Sequence, residues 1–188
     1  SHSDTEVIVH GFEEWGAGVV ARMDGMFAIG IWDTRKDTLL IATDRFGKKP
    51  LYYSQHGATV RFASDSKAFW SLPGAQLTVN HAAIDCYLHH LAVTTDHTIY
   101  NEVSKLQPAH YKVFERDAAG GVRAREVRYW QPNFRDKINV TEAEALERID
   151  AALSEAVRKR MIADVPLGAF LSGGVDSSLV VAMMSQLS

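Results

Sequence analysis

The hydrophobic pattern changes at Thr141, and this change limits the chain to two architectures in succession. Before it, apolar residues come in short runs broken by turn residues, the signature of β-strands. Met26, Phe27, Ile29, Ile31 and Trp32 make one run, and 39–43 makes a second after a turn over 33–37. Leu51-Tyr52-Tyr53, 59–63 and 111–114 are further strand candidates, and 118–121 is a turn signal. Helices are predicted over 6–15, ended by Gly16 and Gly18, and over 81–91, where Ile84, Tyr87, Leu88 and Leu91 share a face. After it, the period becomes helical. Thr141 and Glu144 have capping-box spacing, and Leu146, Ile149, Leu153, Val157 and Met161 form one stripe. The last turn carries Arg158, Lys159 and Arg160, which suits the negative end of the helix dipole. An apolar run over 165–171 follows, then a glycine-rich turn over 172–178, then an apolar helix. Helix, buried strand, turn and helix in that order open a parallel α/β domain. The expected class is thus α+β followed by α/β. The expected domains are 1–130 and 141–188, joined by a polar linker over 131–140 that holds Pro132.

Composition narrows the function. With 188 residues, 46% hydrophobic and 23% charged, the chain has an ordinary globular make-up and length for one or two domains. A formal net charge of −3 argues against a dedicated nucleic-acid binder, which would carry a basic face. No apolar run reaches the roughly 18 residues of a membrane span, and the polar start lacks a secretory core. The single cysteine, Cys86, excludes an internal disulfide framework and fits a reducing cytoplasm.

The turn Ser172-Gly173-Gly174-Val175-Asp176-Ser177-Ser178 carries the most chemistry. Free backbone N–H groups at a helix start attract an anion. Two glycines let the backbone approach that anion closely, and three serines offer hydroxyls. A carboxylate beside phosphates would repel them unless a cation intervenes, so Asp176 points to a bridging Mg²⁺. A kinase-type P-loop is excluded because Val175, not Lys, follows Gly174, and no Gly-x-Gly-x-x-Gly is present. A plain glycine-rich turn capped by Asp and Ser is the remaining alternative.

This segment resembles the pyrophosphate loop of the ATP pyrophosphatase group, which cleaves ATP between its α and β phosphates and adenylates a substrate. Residues 162–171 running into it resemble the asparagine synthetase version. Upstream, Gly25-Met26-Phe27-Ala28-Ile29 with Trp32-Asp33, the stretch 44–53, Phe62-Ala63-Ser64, Lys67-Ala68, Thr98-Ile99-Tyr100 and Arg128-Tyr129-Trp130 resemble the glutaminase half of the same enzymes. The resemblance covers essentially the whole chain. It departs at Thr43, often Arg in the family; at Asp65-Ser66, commonly Glu and a hydrophobic residue; and at Ala109, commonly Gly in a Pro-Gly-His motif.

The resemblance implies a partial αββα N-terminal-nucleophile hydrolase sandwich, followed by the first helix-strand-helix of an adenine-nucleotide-binding domain. It implies glutamine hydrolysis in one domain and ATP- and Mg²⁺-dependent amidation of aspartate through an acyl-adenylate in the other. It further implies small-molecule substrates and allows a homodimeric parent; the charge, apolar runs and cysteine usage above add no nucleic-acid partner, no membrane partner and a cytoplasmic location. Phe170, Leu171, Ser172, Gly173, Gly174, Val175, Asp176, Ser177 and Ser178 would hold ATP or pyrophosphate, with Asp176 on Mg²⁺. Asp4 would bind the glutamine α-ammonium; alternatively, it caps the helix that follows.

The family nucleophile is a Cys at the mature N-terminus, whose α-amino group is the base. Cys86 is interior and lacks that amine, so packing is its expected job. Ser1 aligns with an internal family segment and is a poor nucleophile candidate. The chain therefore reads as an internal fragment, inactive by itself as a glutaminase and stable only when its sheet edges are covered. Two rivals remain: another amide-forming or β-lactam-synthetase-like enzyme, and a non-catalytic nucleotide-binding module. The eight histidines show no zinc spacing. Arg45, Lys48 and Lys49 are read as a solvated loop rather than an anion patch, and the four tryptophans as core or interface residues.

Overall fold

The computed structural model describes residues 3–94 and 96–188. The chain divides into two compact units, one ending at Pro132 and the other spanning Asn133–Ser188.

The first unit begins with α1 (Asp4–Trp15), a 3₁₀ turn at Gly16–Gly18 and α2 (Val19–Arg22). Ser3 caps α1, its hydroxyl accepting from Thr5 N–H at 3.3 Å. Strands β1 (Ala28–Asp33), β2 (Thr38–Thr43), β3 (Tyr52–His56) and β4 (Thr59–Ala63) follow. Next come α3 (Lys67–Trp70), α4 (His81–His90), β5 (Ser104–Lys105), β6 (His110–Arg116) and β7 (Val122–Arg128). The strands form two antiparallel sheets, β1-β2-β6-β7 and β4-β3-β5.

Side-chain alternation along β2 explains the layers. Leu40 and Ala42 point to one face, where they pack with Val19, Val20 and Val113 under α1 and α2. Ile41 points to the other face and joins Leu51, Tyr53, Leu106 and Phe114. That second cluster takes residues from both sheets, so the sheets pack face to face with the helices outside the first. Tyr53 and Phe114 meet edge-on across the gap at 6.1 Å. Lys112 Nζ donates to Tyr53 Oη at 2.8 Å and to Glu126 at 3.2 Å. Burial alone would lower the Lys112 pKa, but these bonds outweigh it and hold the ammonium above its ordinary value. β2 is covered on both faces, so its four central residues are all apolar.

Asp44, directly after β2, is 2% exposed and organises the loop behind it. Oδ1 accepts from Phe46 N–H at 3.1 Å and Lys48 N–H at 3.0 Å. Oδ2 accepts from Phe27 N–H and Lys49 N–H, both at 3.1 Å. Its own carbonyl accepts from Gly47 N–H and Ala109 N–H. Ala109 sits buried in the left-handed region at φ 61°. An L-residue costs about 1–2 kcal/mol there, which accounts for Gly being common at the matching family position. Gly47 is also left-handed, at φ 62°, and a Cβ on it would lie 2.9 Å from the Pro108 ring.

The second unit holds α5 (Glu142–Arg160) and α6 (Val175–Leu187), which pack on each other; Val157 of α5 and Met183 of α6 are buried. The capping box forms as expected: Thr141 Oγ1 accepts from Glu144 N–H, and the Glu144 carboxylate accepts from Thr141 N–H at 2.8 Å. Two expectations fail. The buried strand over 165–171 is not formed: the segment is irregular, and Val165, Leu167, Phe170 and Leu171 are exposed. A parallel strand exists only through ladder bonds to neighbours, and the described residues of this unit contain no strand to supply them. The apolar stripe of α5 is likewise buried only near its end, with Leu146 and Ile149 exposed. Trp15, Trp32 and Trp70 are exposed, which removes the core half of their core-or-interface reading.

Asp44→Ala leaves four backbone donors without acceptors and is expected to destabilise the first unit by about 3–4 kcal/mol. Asp44→Asn keeps one acceptor oxygen but turns an NH₂ toward two donors, so it is also destabilising. Burial pushes the Asp44 pKa up, but the bonds from Lys48, Lys49, Phe46 and Phe27 together bring it below its ordinary value. Its stabilisation is therefore complete above about pH 4, the unfolded carboxylate range, and is lost as pH falls through the lower folded value. Urea unfolding followed by tryptophan fluorescence at several pH values checks this, since all four tryptophans lie in the first unit. The Asp44→Asn variant should lack that part of the acid dependence.

Candidate functional site

The glycine-rich turn is placed at the start of α6, as its sequence predicts. Gly173 takes φ +81°, in the left-handed region, and Gly174 is the extended residue before the helix. Gly174 has no side chain to cap α6. The first helical bond runs from Ser178 N–H to Gly174 C=O at 3.0 Å, so the N–H groups of 175–177 precede the hydrogen-bonded ladder. A Cβ on Gly173 would meet nothing within 4 Å; the glycine is required there by its backbone angle, not by crowding.

The serines are already engaged with one another. Ser177 Oγ donates to Gly174 C=O at 3.1 Å, and Ser172 and Ser177 hydroxyls lie 2.8 Å apart. Each hydroxyl has one proton, so with Ser177 donating to the carbonyl, Ser172 donates to Ser177. The pair staples the turn across five residues. An anion there would meet backbone N–H groups first and would exchange this staple for hydroxyl bonds of its own.

Asp176 lies in the first turn of α6, where the helix dipole favours a carboxylate. Val175, its neighbour in sequence, and Phe170 are open to solvent. Among the described residues no group of three or more His, Cys, Asp or Glu could hold a metal ion. A lone carboxylate does not make a protein cage, but it fits Mg²⁺, which favours one or two carboxylates with phosphate oxygens and water.

Asp4 is exposed in the first turn of α1. The cap of that helix is Ser3, so the capping alternative for Asp4 fails; its Oδ1 accepts from the Thr5 hydroxyl at 3.4 Å. Ser1 lies outside the described residues. Cys86 is half-buried within α4, its Sγ 3.2 Å from Thr94 Oγ1. The Thr94 hydroxyl and backbone lower its thiol pKa. Lys48 and Lys49 are exposed on the loop that wraps Asp44. Sequence reasoning missed Asp44 itself. The available signal was an Asp directly before a glycine-containing turn, whose carboxylate can gather the N–H groups that follow.

The family model for a glutamine amidotransferase domain matches residues 1–130, and the asparagine synthase model matches 148–188. "Asparagine synthetase [glutamine-hydrolyzing] 3" of Bacillus subtilis is 30% identical over 182 residues, covering 96% of this chain and 29% of that protein. A "Putative asparagine synthetase [glutamine-hydrolyzing]" of Mycobacterium bovis is 34% identical over 185 residues, covering 96% and 28%. "Amidase chry2" of Gibberella zeae is 32% identical over 192 residues, covering 99% and 27%. The chain thus spans less than a third of the length of these relatives.

Gly173→Ala forces an L-residue into the left-handed region at a cost of about 1–2 kcal/mol, or about a tenfold loss for any ligand that needs this turn. Binding of inorganic pyrophosphate with Mg²⁺ to full-length protein, wild type against variant, checks the expectation.

Two antiparallel sheets within a glutamine amidotransferase match, followed by a glycine-rich helix start within an asparagine synthase match, place this chain in the glutamine-hydrolysing asparagine synthetase family.

Proposed function

We propose that the chain serves glutamine-dependent asparagine synthesis, as a carbon–nitrogen ligase segment using ATP and Mg²⁺. The observation that carries this is the α6 turn, with its left-handed Gly173, side-chain-free cap and Asp176, on the same chain as an amidotransferase domain. In this reading glutamine is hydrolysed to glutamate and ammonia. The aspartate side-chain carboxylate attacks the α-phosphorus of ATP and expels pyrophosphate. Ammonia then attacks the acyl-adenylate carbonyl and displaces AMP.

In this reading the chain's own residues have the following work. Backbone N–H groups at the start of α6 hold the departing pyrophosphate and stabilise the charge that develops on it. Ser172, Ser177 and Ser178 add hydroxyls at its rim, and the exposed Phe170 and Leu171 are assigned to the nucleoside. Mg²⁺, when bound, supplies positive charge between Asp176 and the phosphates. Asp4 offers its exposed carboxylate to the glutamine ammonium. Cys86 stays out of the chemistry, because a residue within α4 has no free amine to serve as its base.

A second reading is favoured by one observation: a relative matching almost the whole chain is called an amidase. The same two parts would then serve amide formation on an acceptor other than aspartate. Replacing aspartate with other carboxylic acids in the pyrophosphate assay separates the two. A homodimeric, cytoplasmic protein is proposed in either case. Among the described residues no helix is long and apolar enough to cross a membrane.

In full-length protein, Asp176→Ala is expected to slow pyrophosphate release with ATP and aspartate about a hundredfold, by loss of about 3 kcal/mol of transition-state stabilisation. Glutamate release from glutamine should stay near wild type, since that site uses a thiol and no metal. Ser172→Ala should act in the same direction but more weakly, because the backbone donors remain. Unchanged pyrophosphate release in the Asp176→Ala variant would remove Asp176 from the mechanism, and equal loss of both activities would point to unfolding.

A further inference from the structure

The chain is held firmly where it leaves its first unit. The β6–β7 ladder ends at the pair His110↔Arg128. A strand that simply stopped would need nothing more. Instead each of the next residues is tied down separately. Tyr129 N–H donates to Ala109 C=O at 2.8 Å, and its hydroxyl donates to Thr43 C=O at 2.7 Å. Burial, and then the nearby Asp44 carboxylate, push the Tyr129 pKa up to about 12, against a smaller opposing effect of Arg45, so the phenol keeps the proton this bond needs. Arg128 Nε donates to Trp130 C=O at 3.2 Å. The Trp130 indole meets Phe46 edge-on at 5.2 Å, and the Arg45 guanidinium sits 5.8 Å from its centroid.

These partners all belong to the Asp44 loop or its immediate supports. Phe46 is 68% exposed, so its contact with Trp130 is not a by-product of core packing. Arg45 Nε is buried with no hydrogen-bond partner, so that nitrogen adds no hydrogen bond to whatever the face contact with the indole supplies. Beyond Trp130 the character reverses. Residues 131–141 form neither helix nor strand, and Phe134 and Ile138 are exposed.

We propose that Trp130, clamped by Phe46 and Arg45, is a positioning residue that couples glutamine hydrolysis to amide synthesis. The proposal rests on the asparagine-synthesis reading above. Ammonia released at one active site is useful only if it reaches the acyl-adenylate before water and protons take it. That requires the connection between the two reactions to start from a fixed point and in a fixed direction. The clamp fixes both where the chain leaves the first unit, through the contacts of Tyr129 and Trp130 with the Asp44 loop and its supports.

The test uses full-length protein with Trp130→Ala, Phe46→Ala and Trp130→Phe. Three quantities are measured: the ratio of glutamate to pyrophosphate released with glutamine, pyrophosphate release with ammonia in place of glutamine, and protease cleavage within 131–141. In Trp130→Ala, glutamine hydrolysis and ammonia-driven synthesis should stay within about twofold of wild type, while the ratio rises about threefold or more as orientation is lost. Cleavage within 131–141 should quicken by up to about tenfold, the scale of a lost aromatic pair. Phe46→Ala should follow in the same direction, and Trp130→Phe, which keeps a ring, should lie close to wild type. An unchanged ratio in Trp130→Ala with both partial activities intact overturns the proposal. So does a parallel fall of all activities with the melting temperature, which would make Trp130 merely structural. Absence of pyrophosphate release by wild type with ATP, aspartate and ammonia overturns the functional reading and the coupling together. The cleavage rates would still show whether Trp130 holds the exit.

Discussion

A buried carboxylate with no cation beside it is costly unless hydrogen bonds replace its water. Asp44 meets that demand with four backbone N–H groups, two on each oxygen. The requirement runs both ways. The carboxylate needs the donors, and the donors at Phe46, Lys48 and Lys49 belong to a loop with no ladder to satisfy them. The loop therefore closes around Asp44. Phe27 N–H joins from the approach to β1, and Ala109 N–H reaches the Asp44 carbonyl from the approach to β6. Three separate parts of the chain are pinned at one point, at the end of the strand whose two faces carry both cores.

That arrangement explains the tolerance of strain at Ala109. Its left-handed backbone aims N–H at Asp44 C=O and C=O at Tyr129 N–H, so relaxing the angle would break two bonds near a buried centre. It also explains why Tyr129 keeps its proton. The phenol is half-buried, faces Asp44 and donates to Thr43 C=O, so ionising it would put a second negative charge beside the first. The order of dependence runs from Asp44 to the loop, from the loop to Ala109 and Tyr129, and from these to Trp130.

Much of the fold was legible because its signals are local. The apolar runs at 26–32 and 39–43, with a turn between them, gave β1 and β2, and Thr141 with Glu144 gave the start of α5. The turn at 172–178 was legible because glycine pairs before a helix have few other uses. Three things were not legible, for different reasons. β7 reads Val-Arg-Ala-Arg-Glu-Val-Arg, an edge strand whose exposed residues, Ala124 apart, carry charge, so hydrophobic runs do not mark it. The extended state of 165–171 is a question of ladder partners, which a run of apolar residues cannot reveal. Asp44 looked like one more polar loop residue, because whether a carboxylate is buried depends on segments 17 and 65 positions away.

For the pyrophosphate proposed above, the α6 turn offers backbone and charge before it offers its serines. Ser172 and Ser177 hydroxyls are satisfied by each other and by Gly174 C=O. Turning them to a ligand exchanges one hydrogen bond for another, a net gain of order 1 kcal/mol or less. The N–H groups at the start of α6 precede the helical ladder and are bonded to nothing by the side-chain-free cap, so an anion meets them without breaking an existing bond. Their worth is limited in turn by Asp176, whose negative charge shares the same helix turn. Two negative centres in one turn repel unless a cation sits between them, and a dication converts that repulsion into two attractions. In the function proposed above, Asp176 would thus favour a phosphate that arrives with a dication over one that arrives without it.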